Sequence, residues 1–233
     1  MKDFIISPPF GNFVTHPKCI SIMGTYTLNR RGGWLKKIYR AILTIRPIKN
    51  GWINNIGLQN PGIKSVRKFH PDKIYSIAAI EIKEWDELIS LIPKETKLEL
   101  NLSCPNVHQK TVITDKQIRT YLNNYDFVIF KLSPIKEIHS EIDRLINLGV
   151  EYVHIANAFP TDKGGESGGR LKEFSIKVIK ETKNKYPSIK VIGGGGIYSF
   201  EDVAAYKNAG ADYFSLASIW FNPLKAIQLL KQI

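Results

Sequence analysis

Cysteine is nearly absent from this chain of 233 residues. Cys19 and Cys104 are the only two. Two thiols make no disulfide framework, show no zinc-site spacing and are too few to hold an iron–sulfur cluster. Long apolar runs are missing as well. Nothing approaches the roughly 18 residues of a membrane span, and the apolar part of "MKDFIISPPF" is too short for a secretory signal. The chain therefore reads as soluble and cytoplasmic, with no membrane span. No internal repeat, low-complexity tract or linker divides it, so one domain over residues 1–233 is expected. Acidic residues are scarce, with 21 Asp+Glu against 33 Lys+Arg and a net charge of +12. That balance permits an anionic partner such as phosphate, nucleic acid or a membrane surface. The basic residues are dispersed through helical stretches such as "KVIKETKNKYP", however, with no block of five or six like charges. Solvated helix faces account for them, and no nucleic-acid partner is expected.

What the chain does have is alternation. Short β-branched apolar runs recur at Phe4–Ile6, Ile20–Met23, Ile74–Ile80, Leu98–Leu102, Phe127–Leu132, Tyr152–Ala156, Lys190–Ile192 and Tyr213–Leu216. Amphipathic segments lie between the later ones. "KEWDELISLI" places Trp85, Leu88, Ile89 and Ile92 at helical spacing, and "EIHSEIDRLINLG" repeats the pattern and ends in Gly149. "LKEFSIKVIKETKNKYP" ends before a proline. "SFEDVAAYKNAG" opens on Ser199 as N-cap, and "FNPLKAIQLLKQI" opens on Asn222 with Pro223 at the first helical position. Strands alternating with helices imply a parallel sheet with right-handed crossovers. Eight candidate strands favour an α/β fold of the (β/α)8 TIM-barrel type. The stretch "RGGWLKKIYRAILTIRPIKNGW" is less regular and reads as a helix plus a loop.

In such a barrel, chemistry belongs at the C-terminal ends of the strands. The glycines Gly193–Gly196 follow a strand and precede a capped helix, so their backbone N–H groups can approach a phosphate, as can those of the loop at Ala217 and Ser218. The plain alternative is a flexible turn. Lys131 sits inside the apolar run "FVIFKLSP". A lysine there either snorkels outward or meets an anion or electron-rich acceptor inside, such as the N1–C2=O edge of a flavin. Asn54, Asn101, Asn106 and Asn157 lie at or near strand ends. Singly each is a turn former, but together they would offer paired donors and acceptors to a flat, amide-rich ring. Cys104, in "NLSCPNV", is either an inert small hydrophobe or a reactive thiol.

Taken together, "WINNIGLQNPGI", "LNLSCPNV", "FKLSP", "GGESG" and "VIGGGGI" resemble the class 1 dihydroorotate dehydrogenases, most like the NAD-linked branch. The likeness runs in register from about Trp52 to the C-terminus. It implies an FMN-binding barrel that oxidises a dihydropyrimidine to a pyrimidine in de novo pyrimidine biosynthesis. Cys104 would be the general base that takes the C5 proton of dihydroorotate while hydride leaves C6 for the flavin N5. Asn54, Asn101, Asn106 and Asn157 would hold the ring, with Ile56, Gly57 and Leu58 beside the substrate carboxylate. Lys131, Ser167 and Gly168 would lie at the flavin, and Gly195, Gly196, Ala217 and Ser218 would grip its phosphate. The resemblance further implies a homodimer and a separate electron-transfer subunit. The terminal acceptor is open among fumarate, a partner subunit and a quinone.

Departures accompany the likeness. Gly24 stands where the family has a lysine that contacts flavin and substrate, and Ala158 where it has Ser or Thr. The segments after "SCPNV" and around "ISPPFGNF" are short. Losing a hydrogen bond to a charged group costs about 1.5–3 kcal/mol, so the missing lysine matters unless Thr25 or another cation compensates. These changes leave room for another cyclic amide such as dihydrouracil, or for a catalytically impaired flavin-binding subunit. The dihydropyrimidine branch carries histidine after "SCP", where this chain keeps Asn106, which points to orotate.

Overall fold

A computed structural model of the chain describes residues 1–33, 39, 43–49, 51–55, 57–102, 113–135, 137–155 and 158–232. In chain order its strands are β1 (Phe4–Ile6), β2 (Cys19–Tyr26), β3 (Arg46–Ile48), β4 (Gly51–Asn54), β5 (Ile74–Ile77), β6 (Lys97–Asn101), β7 (Val128–Leu132), β8 (Tyr152–Ile155), β9 (Phe159–Thr161), β10 (Gly164–Gly168), β11 (Lys190–Gly194) and β12 (Tyr213–Leu216). The helices are α1 (Glu84–Leu91), α2 (Asp115–Asn124), α3 (Ile138–Asn147), α4 (Gly169–Lys185), α5 (Phe200–Asn208) and α6 (Pro223–Gln232). Eight strands close a parallel barrel in the order β1-β12-β11-β8-β7-β6-β5-β2. The other four form an antiparallel sheet, β3-β4-β10-β9.

The eight barrel strands are the eight apolar runs of the sequence. β2 extends past Met23 to Tyr26 because it keeps pairing with β5 across a register shift between Gly24 and Tyr26. Conversely, the β5 run stops at Ile77 rather than Ile80. Ser199 caps α5 in a reciprocal capping box with Asp202, and Asn222 Oδ1 accepts from Lys225 N at 3.1 Å at the start of α6. Two features do not follow from the apolar pattern. Helix α2 buries only Gln117, Ile118 and Tyr121, too narrow a stripe to stand out, and its start is marked instead by a Thr114–Gln117 capping box. The four-stranded sheet is built from short polar and glycine-rich pieces, "RPI", "GWIN", "FPT" and "GGESG". Its pairing joins segments more than a hundred residues apart.

Side chains of a strand alternate between its two faces, so the barrel has two cores. The outer faces pack under the helices, where Leu98, Leu100, Phe130 and Val153 meet Trp85, Tyr121, Leu145 and Ile179. The inner faces form a separate core of Ile5, Ile22, Ile74, Ile129 and Ile192, flanked by Ile20, Phe127, Tyr152 and Tyr213. This plug fills the lower barrel and sets the depth of anything that binds above it.

Candidate active site

One alternation step above the apolar plug, the inward positions change character. Ile5 gives way to Ser7, Ile22 to Gly24, Ile74 to Ser76, Ile129 to Lys131, Tyr152 to His154, Ile192 to Gly194 and Tyr213 to Ser215. On β6 the inward pair is Glu99 and Asn101. Parallel register lines these up, with Asn101 opposite Lys131 and Lys131 opposite His154. The result is a buried polar tier. Glu99 and His154 are fully buried and Lys131 is 8% exposed. His154 Nδ1 donates to Glu99 Oε2 at 2.7 Å, while Lys131 Nζ lies 3.9 Å from Glu99 Oε1. The chain of contacts continues from Glu99 to the Ser76 hydroxyl, from Ser76 Oγ to Thr25 Oγ1 at 2.9 Å, and to Thr25 Oγ1 from Asn101 Nδ2 at 3.3 Å.

Burial would push the Glu99 carboxyl up. The Lys131 ammonium and the hydrogen bonds from His154 and Ser76 outweigh it and hold the group at about 2. Burial pushes His154 down and Lys131 adds to this, against the pull of Glu99. The tier is thus a carboxylate, an ammonium and a neutral imidazole. With its Nδ1–H engaged, His154 leaves Nε2 as an acceptor, which has no hydrogen-bond partner among the described residues.

Above the tier lies a cavity of about 340 Å³. Its floor includes Ser7, Lys131 and Ser215, and Ser7 and Ser215 hydroxyls bond to each other at 2.7 Å. One wall is aromatic, formed by Phe10, Trp52 and Phe221, with Trp52 and Phe221 ring centroids 4.5 Å apart. Another is the turn at Gly195, Gly196 and Ile197, with Ala217 and Ser218 beside it. Lys131 is the one charged side chain among the described lining residues. A Cβ on Gly196, whose φ is +69°, would sit 2.7 Å from the Gly168 carbonyl oxygen. The chain therefore comes close to α4 there and leaves backbone, not side chain, facing the cavity. Helix α5, which follows the glycines, has its N-terminus closed by Ser199 and Asp202. The helix that opens beside the cavity without a side-chain cap is α4, whose Gly168 backs Gly196.

The cavity gathers Asn54, Lys131, Ser167, Gly195, Gly196, Ala217 and Ser218. Asn54 and Ser167 arrive together because β4 and β10 pair, with Ser167 opposite Trp52 and its hydroxyl donating to Trp52 O at 3.2 Å. Asn101 ends β6 next to Lys131, buried, rather than lining the cavity itself. Gly57 and Leu58 precede the Asn60 turn, where Asn60 Nδ2 donates to Leu58 O at 2.9 Å. They too are outside the lining. Ile56, Cys104, Asn106 and Asn157 lie outside the described residues. The other thiol, Cys19, is buried at the opposite end of the barrel and pushed up to about 11 by burial, so it is unreactive.

Both departures fall at this site. Ala158 lines the cavity. Gly24 has φ +108°, and a Cβ there would lie 2.5 Å from Ser76 O and 2.9 Å from Tyr26 N, so this backbone admits no lysine. The Asn12 side chain clamps both polar groups of Gly24, accepting from its N–H and donating to its carbonyl, each at 2.9 Å. Thr25 takes the place next to Asn101. The residues that the sequence reading passed over are Ser76, Glu99, His154 and Ser215. The signal for Glu99 and His154 was the one used for Lys131, a charged or titratable side chain within an apolar strand.

An eight-stranded parallel barrel with a buried ion pair and a glycine-walled cavity at its C-terminal mouth defines an α/β-barrel enzyme. Comparison narrows the class. The chain belongs to the dihydroorotate dehydrogenase family, whose model matches residues 21–233. It is 30% identical to the catalytic subunit of dihydroorotate dehydrogenase B (NAD(+)) of Endomicrobium trichonymphae, covering 83% of this chain and 72% of the relative. The same subunit of Brachyspira hyodysenteriae is 27% identical, over 89% of this chain and 78% of the relative. Among solved structures, a DHODH of Eimeria tenella in complex with ferulenol superposes with a TM-score of 0.67 at 15% identity, covering 91% of this chain and 73% of that one. The last likeness is one of fold.

Proposed function

We propose that this chain oxidises dihydroorotate to orotate with FMN as cofactor, as one flavin-binding barrel domain in pyrimidine biosynthesis. The observation that carries the reading is the cavity. Asn54, Lys131, Ser167, Gly195, Gly196, Ala217 and Ser218, read from separate motifs, surround one space. The residues fit a flavin nucleotide. An aromatic wall suits a flat ring, a lone ammonium at the floor suits its N1–C2=O edge, and a turn closed to side chains suits a phosphate. FMN, when bound, supplies the acceptor for the hydride that leaves C6 of the substrate.

The protein's part is to bind, orient and deprotonate. Gly195 and Gly196, with Ala217 and Ser218, would hold the phosphate through backbone N–H groups. As the family resemblance implies, Asn54, Asn101, Asn106 and Asn157 would hold the ring amides, with the Ile56–Gly57–Leu58 backbone beside the substrate carboxylate; of these Asn54 lines the cavity. Cys104, as thiolate, takes the C5 proton. Its reference pKa of about 8.5 calls for activation at neutral pH. Thr25, bonded to Ser76 and Asn101, holds the Asn101 amide but brings no charge in place of a lysine at position 24. As the resemblance implies, a separate electron-transfer subunit would take the electrons, and the chain would pair with a second copy of itself.

The purified protein should bind FMN and show the visible absorption of an oxidised flavin. Anaerobic dihydroorotate should bleach it, and Cys104→Ser should slow bleaching by at least about a hundredfold, the usual span of a general base. Absence of flavin binding would overturn the reading. Bleaching by dihydrouracil but not dihydroorotate would reassign the substrate.

A further inference from the structure

We propose that Glu99 and His154 form a positioning pair that holds Lys131 as a fixed, charged ammonium at the cavity floor and so sets how strongly the bound cofactor favours its reduced form. The inference rests on the FMN reading for its ligand, and on the polar tier for its mechanism.

The geometry assigns each residue a task. Lys131 is buried on β7, two residues beyond the fully buried Ile129, so little water reaches it and its charge calls for a nearby anion. Glu99 supplies that charge through Oε1, while Oε2 is taken by His154 Nδ1 at 2.7 Å. The imidazole therefore fixes the rotation of the carboxylate and leaves the other oxygen aimed at Lys131. A Cβ on Gly194 would lie 2.8 Å from Ser215 Cβ, so glycine at 194 leaves Ser215 its place in the tier beside His154. Neutral His154 contributes no second positive charge to the tier.

An ammonium next to the ring edge with its carboxylate one layer deeper is a dipole whose positive end faces the cofactor. It favours added negative charge on the ring, as fixed dipoles do in water-excluded sites. Without Glu99 the Lys131 side chain would be left as an uncompensated buried charge and would lose its fixed position. Ser76, which helps lower the Glu99 carboxyl, bonds to Thr25 Oγ1 at 2.9 Å, and Thr25 Oγ1 accepts from Asn101 Nδ2 at 3.3 Å. The counter-ion of the cofactor lysine and an amide on the substrate side thus lie in one polar tier.

The test is a double-mutant cycle on the FMN-loaded protein, read as the ratio of affinities for reduced and oxidised FMN from the reduction potential. Glu99→Gln and Lys131→Met should each lower that ratio about tenfold, or about 30 mV for a two-electron couple. Together they should lower it no further, because one acts through the other. Additive losses would overturn the proposal. His154→Asn, which keeps an N–H near the Nδ1 position, should stay close to wild type, while His154→Leu should behave as Glu99→Gln does. Equal behaviour of Asn and Leu would also overturn it. A readout free of flavin separates this inference from the functional one. In the apoprotein, nitrogen NMR should find His154 neutral with its proton on Nδ1, and the Lys131 Cε resonance should move in Glu99→Gln. A protonated His154 or an unmoved Lys131 sinks the pair even if FMN binds. A protein that binds no FMN yet shows both signals sinks the flavin reading and the tuning role while leaving the ion pair in place.

Discussion

Glu99 carries more of the site than its surroundings in "KLELN" suggest. In the sequence, charged and apolar residues alternate there, the usual mark of a strand with one wet face. In the barrel the leucines face the helices and Glu99 faces the interior, 0% exposed. Lys131 was readable because it interrupts five apolar neighbours, whereas Glu99 needed barrel closure to show which face is inside. The buried pair predicts acid sensitivity. His154 lies below its ordinary value of 6.5, so the unfolded chain binds a proton that the fold rejects, and stability falls as pH drops through 6.5. Glu99 is held at about 2 against an ordinary 4.5, so its contribution is present above 4.5 and lost as pH falls toward 2. Urea unfolding between pH 8 and 2 should show the first loss near 6.5, and His154→Asn should remove that loss while leaving the second, below 4.5. At Gly196 a methyl group would meet Gly168 O at 2.7 Å with φ at +69°. Gly196→Ala should cost about 1–2 kcal/mol of stability and weaken FMN binding at least tenfold, measured by fluorescence titration.

Among elements, α2 is the informative case. It begins soon after the segment that carries Cys104, and its N-terminus is closed on both sides, with Gln117 N donating to Thr114 Oγ1 at 3.2 Å and Thr114 N to Gln117 Oε1 at 3.0 Å. Gln117 Nε2 also donates to Asp86 Oδ2 at 2.8 Å and so ties α2 to α1. Thr114→Ala should cost about 1 kcal/mol in urea unfolding. The helix escaped the apolar pattern because its buried stripe is narrow, although its cap was written in the sequence as T-x-x-Q. The small sheet was not recoverable in that way. "GGESG" carries little strand propensity and "GWIN" is only four residues long, and they pair because the barrel brings their ends together. That pairing sets Ser167 and Asn54 on one wall of the cavity.

For the whole molecule, the inner isoleucine core is the platform beneath the polar tier. Ile129 is fully buried and lies two residues before Lys131. Ile129→Ala should destabilise the fold by about 2–5 kcal/mol in chemical unfolding and weaken FMN binding as well, because the floor loses its fixed depth. Among the described residues no helix is long and apolar enough to cross a membrane. The sequence by itself determined the eight barrel strands, most of the helices, and the motifs that mark the family. Those properties reside in local periodicity, capping residues and contiguous strings. The tertiary structure alone decided which face of each strand is interior, that Gly24 excludes a side chain, and that Glu99, Lys131 and His154 from three neighbouring strands meet as one buried network. Such contacts depend on strand register and closure, and no local pattern encodes the partner across a barrel.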